Sequence, residues 1–386
     1  MGSPLDTLAK TCEVRPGEPD DAIQGVTASY VASPSTVAEA SDLMRAAAEQ
    51  ELTVVPRGAG TKLHWGSPPD RCDLVIDTRR LGRLIEHTPG DLVVKAEAGL
   101  PLDDLQEALA GSRQQLALDG LVPGATIGGA LATATAGPRR LLYGSARDLL
   151  IGITVVRADG VVAHAGGKVV KNVAGYDLGK LYTGSRGTLG LITEAAFRLH
   201  PLPQASAYVT ATAGDGAEAL ELTRALLRSP LVPAAIEVDG PGPINVTVLF
   251  EGVAEAVPHR AEAARELIGG KVADEPPAWW GRLPEGDVLA EVRAAPSRLP
   301  AIFEAEPDHV RGSAGRGVWH VALPAGGAED TLARLRRHGS AVVLSAPDGT
   351  RLDRWGPIPA LPLMRRVKDQ FDPGHRLSPG RFAGGI

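Results

Sequence analysis

The sequence predicts an α+β protein with two structural regions, and three observations support this class. Residues 30–80 show a β-α-β pattern, in which a helix with one apolar face lies between short apolar strands. Two apolar segments flank Ala158-Asp159-Gly160, which is a strong signal for a β-hairpin. Residues 204–350 alternate between strand-like and helix-like segments, as in a sheet with helices on one face. With 386 residues, of which 44% are hydrophobic, the chain can form more than one core.

The first region begins with a helix and a glycine-rich loop. Ser33 is the predicted N-cap, and Pro34 is the predicted first helical residue, where its missing N–H costs nothing. A predicted strand at 52–55 leads directly into a loop that contains Gly58 and Gly60, and a second strand is predicted at 73–77. The loop therefore starts where a strand ends.

The remaining elements follow from apolar periodicity and from the positions of glycine and proline. Up to residue 203, the sequence predicts strands at 92–98, 115–118, 150–157, 161–164 and 189–199, with helices at 101–110, within 126–135 and at 175–182. Beyond residue 203, it predicts strands at 209–213, 235–238, 245–250, 288–294, 317–323 and 341–345, with helices at 217–228, 258–268 and 361–371.

Composition excludes several classes of function. The net charge is −6 and no dense run of Lys or Arg occurs, which argues against a nucleic-acid-binding protein. Cys12 and Cys72 are far apart, so an iron–sulfur cluster held by this chain alone is excluded and a structural zinc site is not expected. The N-terminal residues lack a signal-peptide pattern, and no apolar run reaches the roughly 18–20 residues of a membrane span. We expect a cytoplasmic protein that reaches a membrane only through a partner.

The first glycine loop matches a phosphate-binding loop better than a dinucleotide-binding helix start. A Rossmann loop has the pattern GxGxxG and opens a helix. Here Leu63 stands at the third glycine position, and Gly66 and Pro68 interrupt any helix. Glycines at Gly58 and Gly60 allow backbone N–H groups to converge on phosphate oxygens. The alternative is a glycine-rich connection without a function.

A second glycine-rich region lies between residues 124 and 190. Within it, Lys171, Asn172 and Tyr176 are candidates for catalysis, because cationic and amide groups near a flavin ring stabilise negative charge on the reduced ring. The alternative is a solvated loop with a Tyr-Asp turn. Gly, Thr and Ser clusters between apolar strands suit a cofactor with a pyrophosphate, and we infer FAD.

The motifs in their order resemble a known family. They read RGAGT (57–61), PGATIGG (123–129), YGSARD (143–148), GGKVVKNVAGYDLGKLYTGSRGTLGLIT (166–193) and FDPGHRLSPGR (371–381). This series resembles the FAD-binding oxidoreductases of the vanillyl-alcohol oxidase and para-cresol methylhydroxylase (PCMH) type. Among them it is most similar to the FAD-binding E subunits of glycolate oxidases. The resemblance is strong over residues 22–203 and moderate over 361–381.

The resemblance implies a domain organisation. A two-part PCMH-type FAD-binding domain would cover residues 22–203, with subdomains at 22–80 and 81–203. An α+β cap domain for the substrate would cover 204–355, and the C-terminal segment 356–386 would pack back on the FAD domain.

The resemblance also implies cofactor contacts. The first loop would wrap the pyrophosphate through Arg57, Gly58, Ala59, Gly60, Thr61 and Lys62, with Gly66 closing it. The ribityl chain and ring would lie along Pro123, Gly124, Thr126, Ile127, Gly128, Gly129 and Thr133. The other side of FAD would meet Gly187, Gly190 and Ile192. Some relatives bond a first-loop histidine covalently to the flavin; Thr61 stands at that position here, so the FAD is expected to be non-covalent.

The sequence departs from the family in ways that affect the expected function. Related D-lactate and glycolate dehydrogenases carry a histidine-rich motif that binds a metal or the substrate carboxylate, whereas this chain offers only His320 in that region. No metal site is expected. The resemblance implies oxidation of glycolate or another small 2-hydroxy acid in a complex with a homologous flavoprotein subunit and an iron–sulfur subunit. The alternative is a non-catalytic FAD subunit that relays electrons or stabilises the complex.

Overall fold

The structure is a computed structural model and describes residues 3–167 and 176–386. The helices of the described residues are α1 (Pro4–Leu8), α2 (Val37–Glu49), α3 (Leu102–Ala110), α4 (Ile127–Thr133), α5 (Arg140–Tyr143), α6 (Ala146–Leu149), α7 (Gly179–Tyr182), α8 (Gly216–Arg228), α9 (Ala256–Ile268), α10 (Leu299–Glu304), α11 (Ala328–Arg336) and α12 (Leu361–Phe371).

The strands alternate with these helices along the described chain. They are β1 (Glu13–Pro16), β2 (Tyr30–Ser33), β3 (Val54–Arg57), β4 (Leu74–Asp77), β5 (Leu84–Thr88), β6 (Val93–Glu97), β7 (Gln114–Gln115), β8 (Leu150–Val156), β9 (Val162–Gly166), β10 (Leu191–Arg198), β11 (His200–Pro201), β12 (Ala205–Ala213), β13 (Ala235–Gly240), β14 (Ile244–Gly252), β15 (Lys271–Ala273), β16 (Val288–Arg293), β17 (His309–Ser313), β18 (Val318–Leu323) and β19 (Ser340–Ser345).

Contacts divide the chain into two compact units. Unit 1 consists of Met1–Thr135, Ser145–Pro201 and Ile358–Ile386. Unit 2 consists of Ala136–Gly144 and Leu202–Pro357.

Unit 1 contains two main sheets. The first has the order β1-β2-β4-β3, and β4 lies parallel to both of its neighbours. All four residues of β4 are buried, as expected for a strand covered on both faces. The second sheet is antiparallel and has the order β5-β6-β10-β8-β9. Helix α2 contributes Leu43 and Met44 to the buried cluster beneath the first sheet.

Unit 2 is built on one eight-stranded antiparallel sheet with the order β15-β12-β14-β13-β17-β18-β16-β19. Alternate residues of its strands, among them Val246, Val248 and Trp319, form a continuous buried cluster. Residues of α8, α9, α10 and α11 belong to the same cluster. One face of the sheet is therefore apolar and covered by helices, which is the arrangement of an α+β fold.

Several predicted elements are confirmed. β8 and β9 form the predicted hairpin, with Val156 opposite Val162. Helix α12 has the predicted bounds. The predicted start of α2 is wrong, because Ser33 belongs to β2 and pairs with Glu13. The hydroxyl of Thr36 caps α2 instead, by accepting from the Glu39 N–H at 3.1 Å.

Two other predictions differ from the structure. The strand predicted at 115–118 is only the two-residue β7, which pairs with β11. The helix predicted at 175–182 covers only Gly179–Tyr182 among the described residues. Among the described residues, no helix combines the length and the apolar character that a membrane span requires.

Candidate functional site

The first glycine loop, residues 58–66, follows β3 in unit 1 and lies against α4. A Cβ on Gly58 would lie 2.3 Å from Thr126 Oγ1, so only glycine allows this approach. Thr126 is the N-cap of α4, and its Oγ1 accepts a hydrogen bond from the Gly129 N–H at 3.2 Å. The close packing therefore fixes the loop beside Thr126 and Gly129, which belong to the second motif, PGATIGG.

Residues 184–190, the second glycine loop, approach the same place from β10. Gly187 has φ +78°, and a Cβ there would lie 3.2 Å from the Pro56 ring and 3.2 Å from Ser378 Oγ. Gly60 in the first loop has φ +76°, which is also in the left-handed region that favours glycine. Both loops thus depend on glycine for their backbone path.

A cleft opens between the two loops and α4. It encloses about 600 Å³ of open space, part of it facing solvent, which is within the range of about 300–1,000 Å³ for small-molecule sites. The residues that line it are Val55, Pro56, Gly58, Ala59, Gly60, Thr61, Lys62, Leu63, Trp65, Thr126, Gly129, Ala132, Thr133, Arg186, Gly187 and Arg381. This set contains three cationic residues and no carboxylate, so the cleft favours an anionic group.

Lys62 is buried in the wall of this cleft. Lys62 is only 8% exposed, and this burial lowers the pKa of its ammonium group to about 8. Nearby His64 also has a lowered pKa, first because of burial and then because of the positive charges of Arg381 and Lys62. The cleft is therefore an electropositive and partly desolvated environment.

Arg57 holds the base of the first loop. Its guanidinium donates to Asp21 at 2.9 Å and to Asp77 at 3.1 Å, and its side chain is 13% exposed. Arg15 also donates to Asp21, and this hydrogen bond keeps the pKa of the Asp21 carboxyl well below its usual range. The guanidinium of Arg57 thus lies in a charge network at the end of β3, and Arg57 is not among the cleft-lining residues.

The C-terminal segment fixes both loops. Arg381 Nη2 donates to the carbonyl oxygens of Leu63 at 2.8 Å and of Trp65 at 3.0 Å in the first loop. Lys368, in α12, donates to the carbonyl oxygen of Thr188 in the second loop at 2.9 Å. Arg381 is 4% exposed and Lys368 is 1% exposed, so these contacts are internal to unit 1.

Most of the predicted pyrophosphate residues lie together. Of the residues predicted from the sequence, Gly58, Ala59, Gly60, Thr61, Lys62, Thr126, Gly129, Thr133 and Gly187 line the cleft. The other predicted residues lie outside its lining: Arg57, Gly66, Pro123, Gly124, Ile127, Gly128, Gly190 and Ile192.

Some of the predicted residues outside the cleft lining pack against the elements that form the cleft. Gly128 packs on Ala98 and donates to its carbonyl oxygen at 2.7 Å. A Cβ on Gly66 would lie 2.9 Å from the Arg186 guanidinium. Gly190 packs near the Tyr182 ring, and Ile192 pairs with Val155 in the antiparallel sheet. Their placement gives them a packing role behind the cleft.

The structure describes only one of the three candidates for catalysis, Tyr176. Lys171 and Asn172 lie outside the described residues. Tyr176 is 93% exposed. In unit 2, His320 on β18 is buried 3.7 Å from Glu291, and burial lowers its pKa to about 4, so it is neutral at pH 7.

Sequence reasoning missed two cationic residues of the cleft, Arg186 and Arg381. Both belong to quoted motifs in which Arg is adjacent to glycine: SRG at 185–187 and PGR at 379–381. This adjacency is the signal that could have identified both arginines as cleft residues, since an Arg next to a glycine with positive φ lies at a tight bend.

Comparison with known proteins gives the same cofactor and family. The sequence model of a family described as "FAD binding domain" matches residues 28–166. The chain is 30% identical over 357 residues to the glycolate oxidase subunit GlcE of Escherichia coli, covering 87% of this chain and 94% of that protein. It is 32% identical over 208 residues to the glycolate oxidase subunit GlcD of Bacillus subtilis, covering 54% of this chain and 44% of that protein. The chain thus spans less than half the length of GlcD.

A solved structure shares the fold. An alkyldihydroxyacetonephosphate synthase superposes with a TM-score of 0.68 at 17% identity, covering 92% of this chain and 76% of the other. The similarity to GlcE extends over nearly the whole of both proteins, and most of the matched FAD-binding region lies in unit 1, together with the glycine loops and the cleft. The chain therefore belongs to the FAD-binding oxidoreductases of the vanillyl-alcohol oxidase and PCMH type, and its cofactor is FAD.

Proposed function

We propose that this chain is an FAD-dependent 2-hydroxy acid oxidoreductase that works as a subunit of a glycolate oxidase complex. The observation that carries the proposal is that both glycine loops meet at one cleft that has three cationic residues and no carboxylate. The similarity to GlcE over most of both chains supports glycolate as the substrate class.

The cleft suits the diphosphate of FAD. Gly58 and Gly187 line the cleft and carry no side chain, so backbone can approach a ligand closely at both walls. Thr61, at the position where some relatives carry a flavin-bonded histidine, offers a hydroxyl that does not form such a bond. We propose that the chain holds FAD without a covalent link and that its loops orient the cofactor.

Bound FAD would supply a two-electron acceptor. The substrate would lose a hydride from the carbon that bears the hydroxyl to the flavin and a proton from that hydroxyl to solvent water, which yields a 2-oxo acid. The two electrons would then leave through an iron–sulfur partner subunit. The residues of this chain would position the cofactor, while Arg381 and Lys368 would keep the two loops in place.

Anaerobic reduction tests the proposal. The purified chain, loaded with FAD, is mixed with glycolate under argon, and the visible absorption band of oxidised flavin is followed. The proposal predicts bleaching by glycolate and recovery after an added electron acceptor. Acetate, which lacks the hydroxyl group, is the matched control. A band that stays unchanged with glycolate and with D-lactate would refute catalysis by this chain alone.

A second candidate is an FAD subunit that relays electrons or stabilises the complex. The observation that favours it is the extent of the similarity to GlcD, which ends at 44% of that protein. Catalytic groups that lie in the remaining part of GlcD would have no counterpart matched here. This candidate predicts no bleaching in the isolated chain, but bleaching by glycolate after the chain is reconstituted with a GlcD-type subunit and an iron–sulfur subunit.

A further inference from the structure

A short segment of unit 2 interrupts the chain of unit 1. The residues Ala136–Gly144, which we call the tether, belong to unit 2, whereas the chain on both sides of them belongs to unit 1. The tether comes directly after α4, which ends at Thr133 and lines the cleft. In the short connection between them, the hydroxyls of Thr133 and Thr135 share a hydrogen bond of 2.6 Å. A shift of the tether therefore reaches the end of α4 through a few covalent bonds.

Glu251 anchors the tether within unit 2. Its carboxylate accepts hydrogen bonds from the guanidinium of Arg139 at 2.8 Å and from the hydroxyl of Tyr143 at 3.1 Å. Arg139 is the N-cap of α5 and Tyr143 is its last residue, so Glu251 holds both ends of this helix. The Glu251 side chain is only 1% exposed, and it belongs to β14, an inner strand of the sheet. Hydrogen bonds to a buried carboxylate are strong, so the anchor restrains the tether.

Backbone and apolar contacts complete the anchor. The N–H of Leu142 donates to the carbonyl oxygen of Ala234 at 3.3 Å, and Arg316 donates to the carbonyl oxygen of Leu141 at 3.0 Å. A Cβ on Gly315 would lie 3.0 Å from the Leu141 side chain, so these two residues pack closely. All these partners belong to unit 2, and the tether therefore takes its position from unit 2.

The end of α4 in turn holds the second glycine loop. The N–H of Gly184 donates to the carbonyl oxygen of Leu131, and the N–H of Arg186 donates to that of Ala132, both at 2.8 Å. These carbonyls belong to the last turn of α4, where a helix has no regular partners for them. Arg186 and Gly187 line the cleft. The position of the last turn of α4 thus sets the position of one wall of the cleft.

We propose that Glu251 is a positioning residue for the cofactor: it anchors the tether, and through α4 it keeps the second glycine loop in the geometry that binds FAD. The proposal goes beyond the proposed function, because it concerns the retention of FAD and not the substrate. The coupling is reciprocal, since linkage requires that bound FAD stabilises the anchored tether as much as the anchor stabilises bound FAD.

Flavin fluorescence titration of the full-length chain with FAD tests the proposal. Glu251→Leu removes both hydrogen bonds to the tether and leaves a side chain of similar size, while Arg139, whose side chain is 31% exposed, can turn to water. It should weaken FAD binding about 5- to 50-fold, within the range of typical coupling between sites. Tyr143→Phe is the milder variant, which tests the proposal even if Glu251→Leu does not fold. It should weaken FAD binding about two- to fivefold.

Asp239→Asn is the matched control. Asp239 is another buried carboxylate of the same sheet, and its partners, Arg311 at 2.6 Å and His309 at 2.7 Å, lie on β17 and not on the tether. This variant should lower the stability of the chain and leave the FAD affinity within about twofold of the wild type.

Hydrogen exchange adds a readout that a merely stabilising role of Glu251 would not change. In Glu251→Leu, the amides of Gly184 and Arg186 should exchange at least about fivefold faster than in the wild type, while those of β4 keep their rates. In the wild type, FAD should slow the exchange of the Leu142 amide. Wild-type FAD affinity in both Glu251→Leu and Tyr143→Phe, or an equal loss of affinity in Asp239→Asn, would overturn the proposal. Neither result depends on whether glycolate reduces the flavin.

Discussion

The contact between Gly58 and Thr126 gives a prediction with a calculable size. In Gly58→Ala, the new Cβ would lie 2.3 Å from Thr126 Oγ1 and 3.3 Å from Thr126 Cβ and Cγ2. Thr126 is 2% exposed and caps α4, so it has little room to move. We expect Gly58→Ala to lower the free energy of unfolding by about 1–3 kcal/mol, as overpacking does. Weaker FAD binding should accompany the loss.

A double-mutant cycle isolates this contact. Thr126→Ala alone removes a helix cap and should cost about 1 kcal/mol. It also removes Oγ1 and Cγ2, and with them the closest approach to the new methyl group. Gly58→Ala introduced into Thr126→Ala should therefore cost less than about 1 kcal/mol, with a coupling of about 1–2 kcal/mol between the sites.

Chemical denaturation followed by circular dichroism measures all four proteins of the cycle. Gly90→Ala is the matched control, because a Cβ there meets nothing within 4 Å and its φ is not positive. It should change the stability by less than about 0.5 kcal/mol. Additive costs in the cycle would refute the claim that Thr126 is what restricts position 58 to glycine.

Three further predictions concern the groups that hold the loops. Arg381→Met removes two hydrogen bonds to the first glycine loop and should weaken FAD binding at least tenfold, measured by fluorescence titration; unchanged affinity would show that the loop holds its shape without them. Lys368→Met leaves the Asp372 carboxylate buried without a cation and should cost about 3–5 kcal/mol in urea unfolding, with most of the loss recovered in the double variant Lys368→Met/Asp372→Leu. The pKa of Asp21 is lowered by its arginine partners in the folded state, so its contribution is present at neutral pH and is lost as the pH falls below the ordinary carboxyl value; Asp21→Asn should flatten the acid limb of the stability profile, and an unchanged limb would contradict this.

Local signals in the sequence predicted much of the fold. Helix α12 and the β8-β9 hairpin follow from periodicity and turn residues, which act over a few positions. The start of α2 was misplaced because Ser33 and Thr36 carry equivalent capping signals, and pairing with the distant β1 decides between them. Such pairing cannot be read from a local pattern.

In the candidate site, too, only residues with a local signal could be predicted. The glycine and threonine positions are such residues, because their backbone requirements depend on nearby residues. The partners of Arg57 could not be predicted, since Asp21 is 36 residues and Asp77 is 20 residues away along the chain. The hydrogen bonds from Arg381 to the first loop join residues more than 300 positions apart, and no local pattern indicates them. Long-range contacts decide which cationic residues line the cleft and which stabilise the loops.

The most direct test of the central claim is the FAD content per chain of the wild type, Gly60→Val and Gly269→Val, purified in the same way. Both glycines have φ above +70°, and a Cβ on Gly269 in unit 2 meets nothing within 4 Å, so the backbone strain is matched while only Gly60 lines the cleft. The account predicts yellow wild type and yellow Gly269→Val with about one FAD per chain, and a folded but colourless Gly60→Val. Gly60→Val that carries as much FAD as the wild type would contradict it.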